Sequence, residues 1–326
     1  ITAEPSGGKV GTKVLFVINS FLAGGAERSL IELLPRLQQR GIDPTVVALR
    51  HREVGFESEA AAADYEVRYL QPAGWWGRIR QLRQLTKQVA PDLVYTALFD
   101  ADIAGRIAAV GTGVPVMTNL ANTSFDPMRE ADPNVRPARL RLVKLVDGWT
   151  GRHLTTHFHA ISEAVKKSAV EHLGLDPDRV TVVLRGRDEE RLGNPGQQRA
   201  DEVRASLSIA SEIKLLLAVG RQEYQKGHVH LLKAFAGIRA SHPDSVLLIA
   251  GREGHMTGRL TALRDELGLT EAVHLLGHRT DIPDLLCAAD LFVFPSLYEG
   301  LGGALIEATA MGLPIVTSDV PALREV

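Results

Sequence analysis

The chain has 326 residues, 45% apolar and 23% charged, with a net charge of −2 and a single cysteine, Cys287. That length asks for two domains rather than one core, and the near-neutral charge leaves no electrostatic footprint for nucleic acid. A lone cysteine forms no internal disulfide, which fits a reducing, cytoplasmic compartment, and no run of eighteen apolar residues marks a transmembrane helix.

Residues 1–12 contain Gly, Ser and Pro without an apolar core and read as a disordered leader, not a signal peptide. Apolar, β-branched runs follow at 14–18, 45–49, 93–96, 114–118, 158–161 and 180–184, each separated by a helix-like stretch. The first such stretch runs from about Ala26 to Gln39; another opens at Ser162-Glu163 and closes at Gly174, with Pro177 beyond it. Short strands alternating with helices imply parallel sheets wound by helices. The polar segment 186–198, which includes Asn194-Pro195-Gly196, reads as an irregular linker. A second series of strands at 215–219, 246–249, 273–276, 291–294 and 315–317 fills 199–326, so the expected domains are 13–185 and 199–326. The chain stops just after a strand, where such a domain normally adds a helix, so the second domain reads as incomplete.

Residues 1–185 carry 23 Lys+Arg against 20 Asp+Glu, and the remainder 14 against 19. The basic excess lies in Arg78, Arg80, Arg83 and Lys87 and in Arg136, Arg139, Arg141 and Lys144, at helical spacing with apolar residues between. Such a face either rests on an anionic membrane surface or is simply solvated.

Three motifs carry chemistry. Gly24-Gly25-Ala26-Glu27 follows the first strand and enters the first helix, where paired glycines let backbone approach a ligand and the helix start favours an anion. It lacks the G-x-G-x-x-G spacing of dinucleotide binders, which argues against a dehydrogenase. Gly220-Arg221, with Lys226-Gly227 five residues on, puts a bidentate cation and a mobile one at a strand end. Glu299-Gly300-Leu301-Gly302-Gly303-Ala304-Leu305-Ile306-Glu307 sets two carboxylates around a glycine turn between an apolar strand and a helix start. The turn suits an anion. Acids beside it would repel bare phosphate and instead suit hydroxyl groups on the same ligand, and a diphosphate with several hydroxyls is a sugar nucleotide.

The E-x7-E stretch resembles the signature of retaining GT-B glycosyltransferases, glycosyltransferase family 4 in particular. The G-G-A-E and G-R-x4-K-G loops resemble the same family's, and the likeness covers nearly the whole chain. It implies an α/β GT-B fold, with two Rossmann-like doubly wound domains facing a cleft, acceptor in the first and donor in the second. It also implies a retaining, hexosyl-type transfer from a UDP- or GDP-sugar to a hydroxyl of a glycan, lipid or small molecule, without cofactor or metal. Glu299 would contact the donor sugar and Glu307 the ribose, while the Leu301-Gly302-Gly303 amides face the diphosphate. Arg221 and Lys226 would stabilise charge growing on the leaving diphosphate, making them, with Glu299, the catalytic set. Gly24 and Gly25 would lie opposite the diphosphate, and the loops at Gly251 and Arg279 would hold the nucleobase.

Two positions depart from the family pattern. Residues 119–124 lack the usual histidine; Asn122 could replace it as a hydrogen-bond partner but not as an acid or base. The family's Asn-Gly-Val/Ile-Asp appears as Arg185-Gly186-Arg187-Asp188, whose arginines either bind an anionic acceptor or solvate the linker. Asp100-Ala101-Asp102 matches a metal-binding D-x-D string but suits a helix cap, and the spacing of His153, His157 and His159 is not that of a zinc site. A sugar-nucleotide epimerase and a non-catalytic sugar-nucleotide-binding subunit remain as alternative functions.

Overall fold

The structure, a computed structural model, describes residues 11–326 apart from 23, 53 and 54. The chain separates into two compact units. Residues up to Ala121 with Arg141–Arg185 form the first, and Asn122–Leu140 with Gly186–Val326 form the second.

Among the described residues the first unit holds seven strands: β1 (Thr12–Ile18), β2 (Ile42–Ala48), β3 (Glu66–Tyr69), β4 (Leu93–Ala97), β5 (Val116–Leu120), β6 (His157–Ala160) and β7 (Val180–Val182). Its helices are α1 (Gly25–Gln38), α2 (Glu57–Ala61), α3 (Trp75–Val89), α4 (Phe99–Ala109), most of α5 (Pro137–Leu154) and α6 (Glu163–Leu173). The strands pair in parallel in the order β3-β2-β1-β4-β5-β6-β7.

The second unit holds β8 (Lys214–Val219), β9 (Ser245–Ala250), β10 (Val273–Gly277), β11 (Leu291–Phe294) and β12 (Ile315–Thr317), in the parallel order β10-β9-β8-β11-β12. Its helices are α7 (Glu189–Leu192), α8 (Gln197–Ser206), α9 (His228–Ser241), α10 (Thr257–Glu266), α11 (Ile282–Ala288) and α12 (Gly303–Ala310).

Each sheet is buried on both faces, which is why its central strands are apolar without a polar alternation. In β1, Val14, Phe16 and Ile18 pack with Leu30 and Leu34 of α1, while Leu15 and Val17 pack with Ile79 and Leu82 of α3 and the alanines of α4. In β8, Leu215 and Leu217 meet α11 and α12, and Leu216 and Ala218 meet Phe235 of α9 and Leu260 of α10. Fully burying each such side chain contributes about 1.5–3 kcal/mol. The alternating pattern thus gives two doubly wound parallel sheets, as the sequence predicts.

Four details differ from the sequence reading. β3 went unseen because it is a four-residue edge strand, only partly buried, with Glu66 and Arg68 in it. The segment expected to be an irregular linker forms α7, capped by Asp188, whose Oδ1 accepts from Glu190 N at 3.1 Å; Leu192 then enters the second core. Asn122–Leu140 groups with the second unit, not with the domain expected over 13–185. Thr123 Oγ1 donates to the Glu299 carbonyl at 3.2 Å, and Asp132 meets His255 Nε2 at 3.0 Å. The expected leader at 1–12 lies outside the described residues as far as residue 10, and Thr12 already belongs to β1.

Candidate active site

In both sheets the winding direction reverses beside the first strand. The chain steps outward from β1 to β3 and returns to β4; it steps outward from β8 to β10 and returns to β11. Ligands of open α/β sheets bind beyond the strand carboxyl ends at such a reversal. In the second unit the flanking segments are those after β8, where Gly220, Arg221 and Lys226 sit, and after β11, where Glu299 to Glu307 sit.

The β8 loop is built by close backbone approach. A Cβ on Gly251, just after β9, would collide with the Gly220 carbonyl, and one on Gly227 would collide with the Pro295 carbonyl. Gly227 also has φ +65°, so glycine is required there twice over. Gln225, buried, donates from Nε2 to the Tyr298 carbonyl at 2.8 Å, and Leu297 N donates to Gln225 O at 2.8 Å. His228, 3% exposed, is pushed down to about 4 by burial and is therefore neutral at pH 7. Its Nε2–H donates to the Gly220 carbonyl at 3.3 Å, since a carbonyl can only accept. These contacts lock the two loops together.

Lys226 Nζ bonds directly to Glu299 Oε1 and lies 5.2 Å from the Phe294 ring centroid. Ser296 Oγ donates to the same carboxylate oxygen at 2.9 Å. Glu299 is 7% exposed, so the cation is what makes burial of this charge tolerable. Arg221 is exposed and forms no ion pair among the described residues.

Gly302, at φ +82°, precedes α12, and a Cβ on it would press on Leu323. Leu301 is buried beside it. One turn into the helix, Glu307 is 8% exposed and receives two cations on Oε1: Arg187 Nε at 3.1 Å and Arg191 Nη2 at 2.6 Å. A Cβ on Gly303 would collide with Arg187 Nη2. Sequence reading treated the two acids as hydroxyl acceptors. The structure adds that each is charge-compensated, and that Ser296, Gln225, His228 and Arg191 support them. Arg191 lies 116 residues from Glu307, a pairing with no local signal.

The remaining predicted residues fall elsewhere. Gly24, in extended conformation, caps α1 and accepts from Arg28 N at 3.0 Å, while Gly25 faces open space; both lie in the first unit. Arg279 is tied to Asp281 by two bonds, one of them 2.8 Å. Asn122 turns its Oδ1 onto Thr123 N at 2.9 Å. Arg185 hydrogen-bonds Tyr95, whose hydroxyl also meets His159 Nδ1 at 2.9 Å; burial raises the Tyr95 pKa to about 12. Asp100 pairs with Arg50 at 2.8 Å, and burial drives Asp102 up to about 7, so the D-x-D acids have separate structural roles. No group of three or more His, Cys, Asp or Glu suited to a metal occurs among the described residues.

Comparison with known proteins agrees with this geometry. The model of Glycosyltransferase Family 4 matches residues 23–191, more than half of the chain, and that of Glycosyl transferases group 1 matches 199–326. The UDP-Gal:alpha-D-GlcNAc-diphosphoundecaprenol alpha-1,3-galactosyltransferase of Escherichia coli is 30% identical over 245 residues, covering 73% of this chain and 60% of that protein. The putative glycosyltransferase EpsF of Bacillus subtilis (strain 168) is 27% identical over 316 residues, covering 94% of this chain and 79% of its own. Among solved structures, Anabaena Alr3699/HepE in complex with UDP and glucose matches with a TM-score of 0.82 at 23% identity, over 96% of this chain and 82% of that one. That likeness shows the GT-B fold. With family models matching on both of its halves, this chain belongs to glycosyltransferase family 4.

Proposed function

We propose that the chain serves a retaining hexosyl transfer from a nucleotide-diphosphate sugar to an acceptor hydroxyl, with the donor held at the β8/β11 reversal. The observation that carries this reading is the pairing of both E-x7-E acids with cations, Glu299 with Lys226 from the loop after β8 and Glu307 with Arg187 just before α7 and Arg191 within it. Glu299 positions the sugar, Glu307 accepts from the ribose, and the amides at 301–303 meet the diphosphate. As the glycosidic bond breaks, charge grows on the departing diphosphate, and Arg221 and Lys226 meet it there. The front-face course has that diphosphate help accept the acceptor's proton. A UDP-sugar is favoured by the UDP complex of the Anabaena protein. A lipid-linked acceptor is favoured by the Escherichia coli relative, named for GlcNAc-diphosphoundecaprenol. These relatives favour transfer over epimerisation. Incubating the intact protein with UDP- or GDP-sugar alone tests this: slow hydrolysis at most is expected, and an epimerised donor would sink the assignment.

The reading includes a cytoplasmic setting, where Cys287 stays a thiol, and an anionic membrane surface as the partner of α5. No helix among the described residues is long and apolar enough to cross a membrane. α5, however, is inside out. Leu142, Leu145, Val146 and Trp149, at i, i+3, i+4 and i+7, are exposed, while Gly148, Thr150 and Gly151 turn inward. Arg141 and Arg152 are exposed on the same helix. An apolar stripe flanked by cations suits the headgroup boundary of anionic lipid. In vesicle sedimentation, Leu145→Glu should lower binding to anionic vesicles severalfold; equal binding by wild type to zwitterionic vesicles would contradict the membrane partner.

A further inference from the structure

Arg187 stands where the family resemblance expects an apolar Val or Ile, and its surroundings give it a defined task. Its side chain is only 6% exposed. All three guanidinium nitrogens are placed: Nε donates to Glu307 Oε1 at 3.1 Å, Nη1 donates to the Gly186 carbonyl at 3.1 Å, and Nη2 rests on the Cα side of Gly303. Gly303 has no positive φ, so its lack of a side chain is explained by the guanidinium, not by backbone strain. Arg191 reaches the same Oε1 from the next helix turn at 2.6 Å, leaving Oε2 of Glu307 used by neither arginine.

We propose that Arg187, together with Arg191, is a positioning residue for the donor: it fixes the Glu307 carboxylate by one oxygen so that the other is presented to the ribose hydroxyls. A planar fork anchored at three points holds a rotamer better than a lysine would, and outer partners that orient a ligand-binding group are costly to lose. The inference rests on the reading of Glu307 as the ribose acceptor. It replaces the expectation of Arg187 as an acceptor-binding residue, because its guanidinium is committed to Glu307, Gly186 and Gly303.

The test is calorimetric titration of UDP, GDP and their 2′-deoxy counterparts into the intact protein, as wild type, Arg187→Met, Arg187→Lys and Glu307→Gln, with thermal unfolding as a control for folding. In wild type, removing the 2′-hydroxyl should weaken binding about tenfold, the scale of a hydrogen bond to a charged group. Arg187→Met keeps an unbranched apolar stem but removes the guanidinium; it should weaken the ribonucleotide about tenfold and nearly abolish the deoxy penalty. Arg187→Lys should recover part of both. If Arg187→Met keeps the wild-type affinity and penalty while Glu307→Gln loses them, Arg187 does not act through Glu307 and the inference fails with the ribose reading intact. If Glu307→Gln also behaves as wild type, or no diphosphate binds wild type, the donor reading fails and takes the inference with it.

Discussion

The two units wind their sheets with the same reversal beside the first strand, yet they use that place differently. In the first unit the β1/β4 reversal is closed by the protein itself: Asn19 Oδ1 accepts from Ala101 N at 2.8 Å, capping α4, and Arg50 pairs with Asp100 at 2.8 Å. Deeper along α4, Arg106 is 1% exposed and donates to Asp147 at 2.7 Å, Thr150 at 3.0 Å and Thr118 at 3.2 Å. In the second unit the β8/β11 reversal is bordered by glycines, an exposed arginine and two compensated acids. A shared topology therefore sets where a site can be, and the loop residues decide whether the place becomes structure or chemistry.

If that contrast is right, removing cations should do different things in the two units. Arg106→Ala leaves Asp147 half-buried without its partner and should cost about 3–5 kcal/mol of stability. Its turnover per folded molecule should stay near wild type, checked by denaturant unfolding alongside an activity assay. A selective loss of turnover would break the contrast. Lys226→Ala also strips a buried acid, Glu299, of its cation and should cost stability on a similar scale, but it should lower transfer per folded molecule about 10²–10³-fold, the scale of one charge-stabilising donor. Wild-type rates in this mutant would remove the second unit's claim to chemistry.

The sharpest comparison is with pH. His228 has its folded pKa lowered to about 4, below the ordinary 6.5 of the unfolded chain. The unfolded state then binds more protons between those values, so this contribution is complete above about pH 6.5 and is lost as pH falls towards 4, by at most about 3 kcal/mol. Asp102 has its folded pKa raised to about 7 by burial, with Arg106 opposing, against 3.8 unfolded. Here the native state binds more protons, so stability is full below about 3.8 and declines as pH rises through 7. Hydrogen-exchange protection, corrected for intrinsic rates, should thus rise with pH in α9 and fall with pH in α4. Asp102→Asn should flatten only the α4 profile. Parallel profiles in the two helices would contradict this account.

Much of this was legible in the residues. The strand runs are apolar because both sheet faces are covered, so alternation alone gave the architecture; β11 and β12 match their expected bounds. The edge strand β3 escaped because a partly exposed strand carries Glu66 and Arg68 and has no apolar run. The glycines at 220, 227, 251 and 302 marked the site because a Cβ at each would meet a neighbour within 4 Å. What spacing cannot carry is pairing across distance. Lys226 meets Glu299 over 73 residues, and Arg187 meets Glu307 over 120. α5 shows the same limit: its inward side is set by the buried Arg106, which donates to Asp147 and Thr150 from 41 and 44 residues away.

The central claim, that the β8/β11 reversal of the second unit holds a nucleotide sugar, is tested most directly by thermal shift. The intact protein is screened against UDP- and GDP-sugars beside its Lys226→Ala and Glu307→Ala variants. A ligand at a hundred times its dissociation constant adds about 2.7 kcal/mol to native stability. One donor class should raise the wild-type midpoint by several degrees and leave both variants nearly unmoved. No shift in wild type, or an equal shift in all three proteins, would contradict the claim.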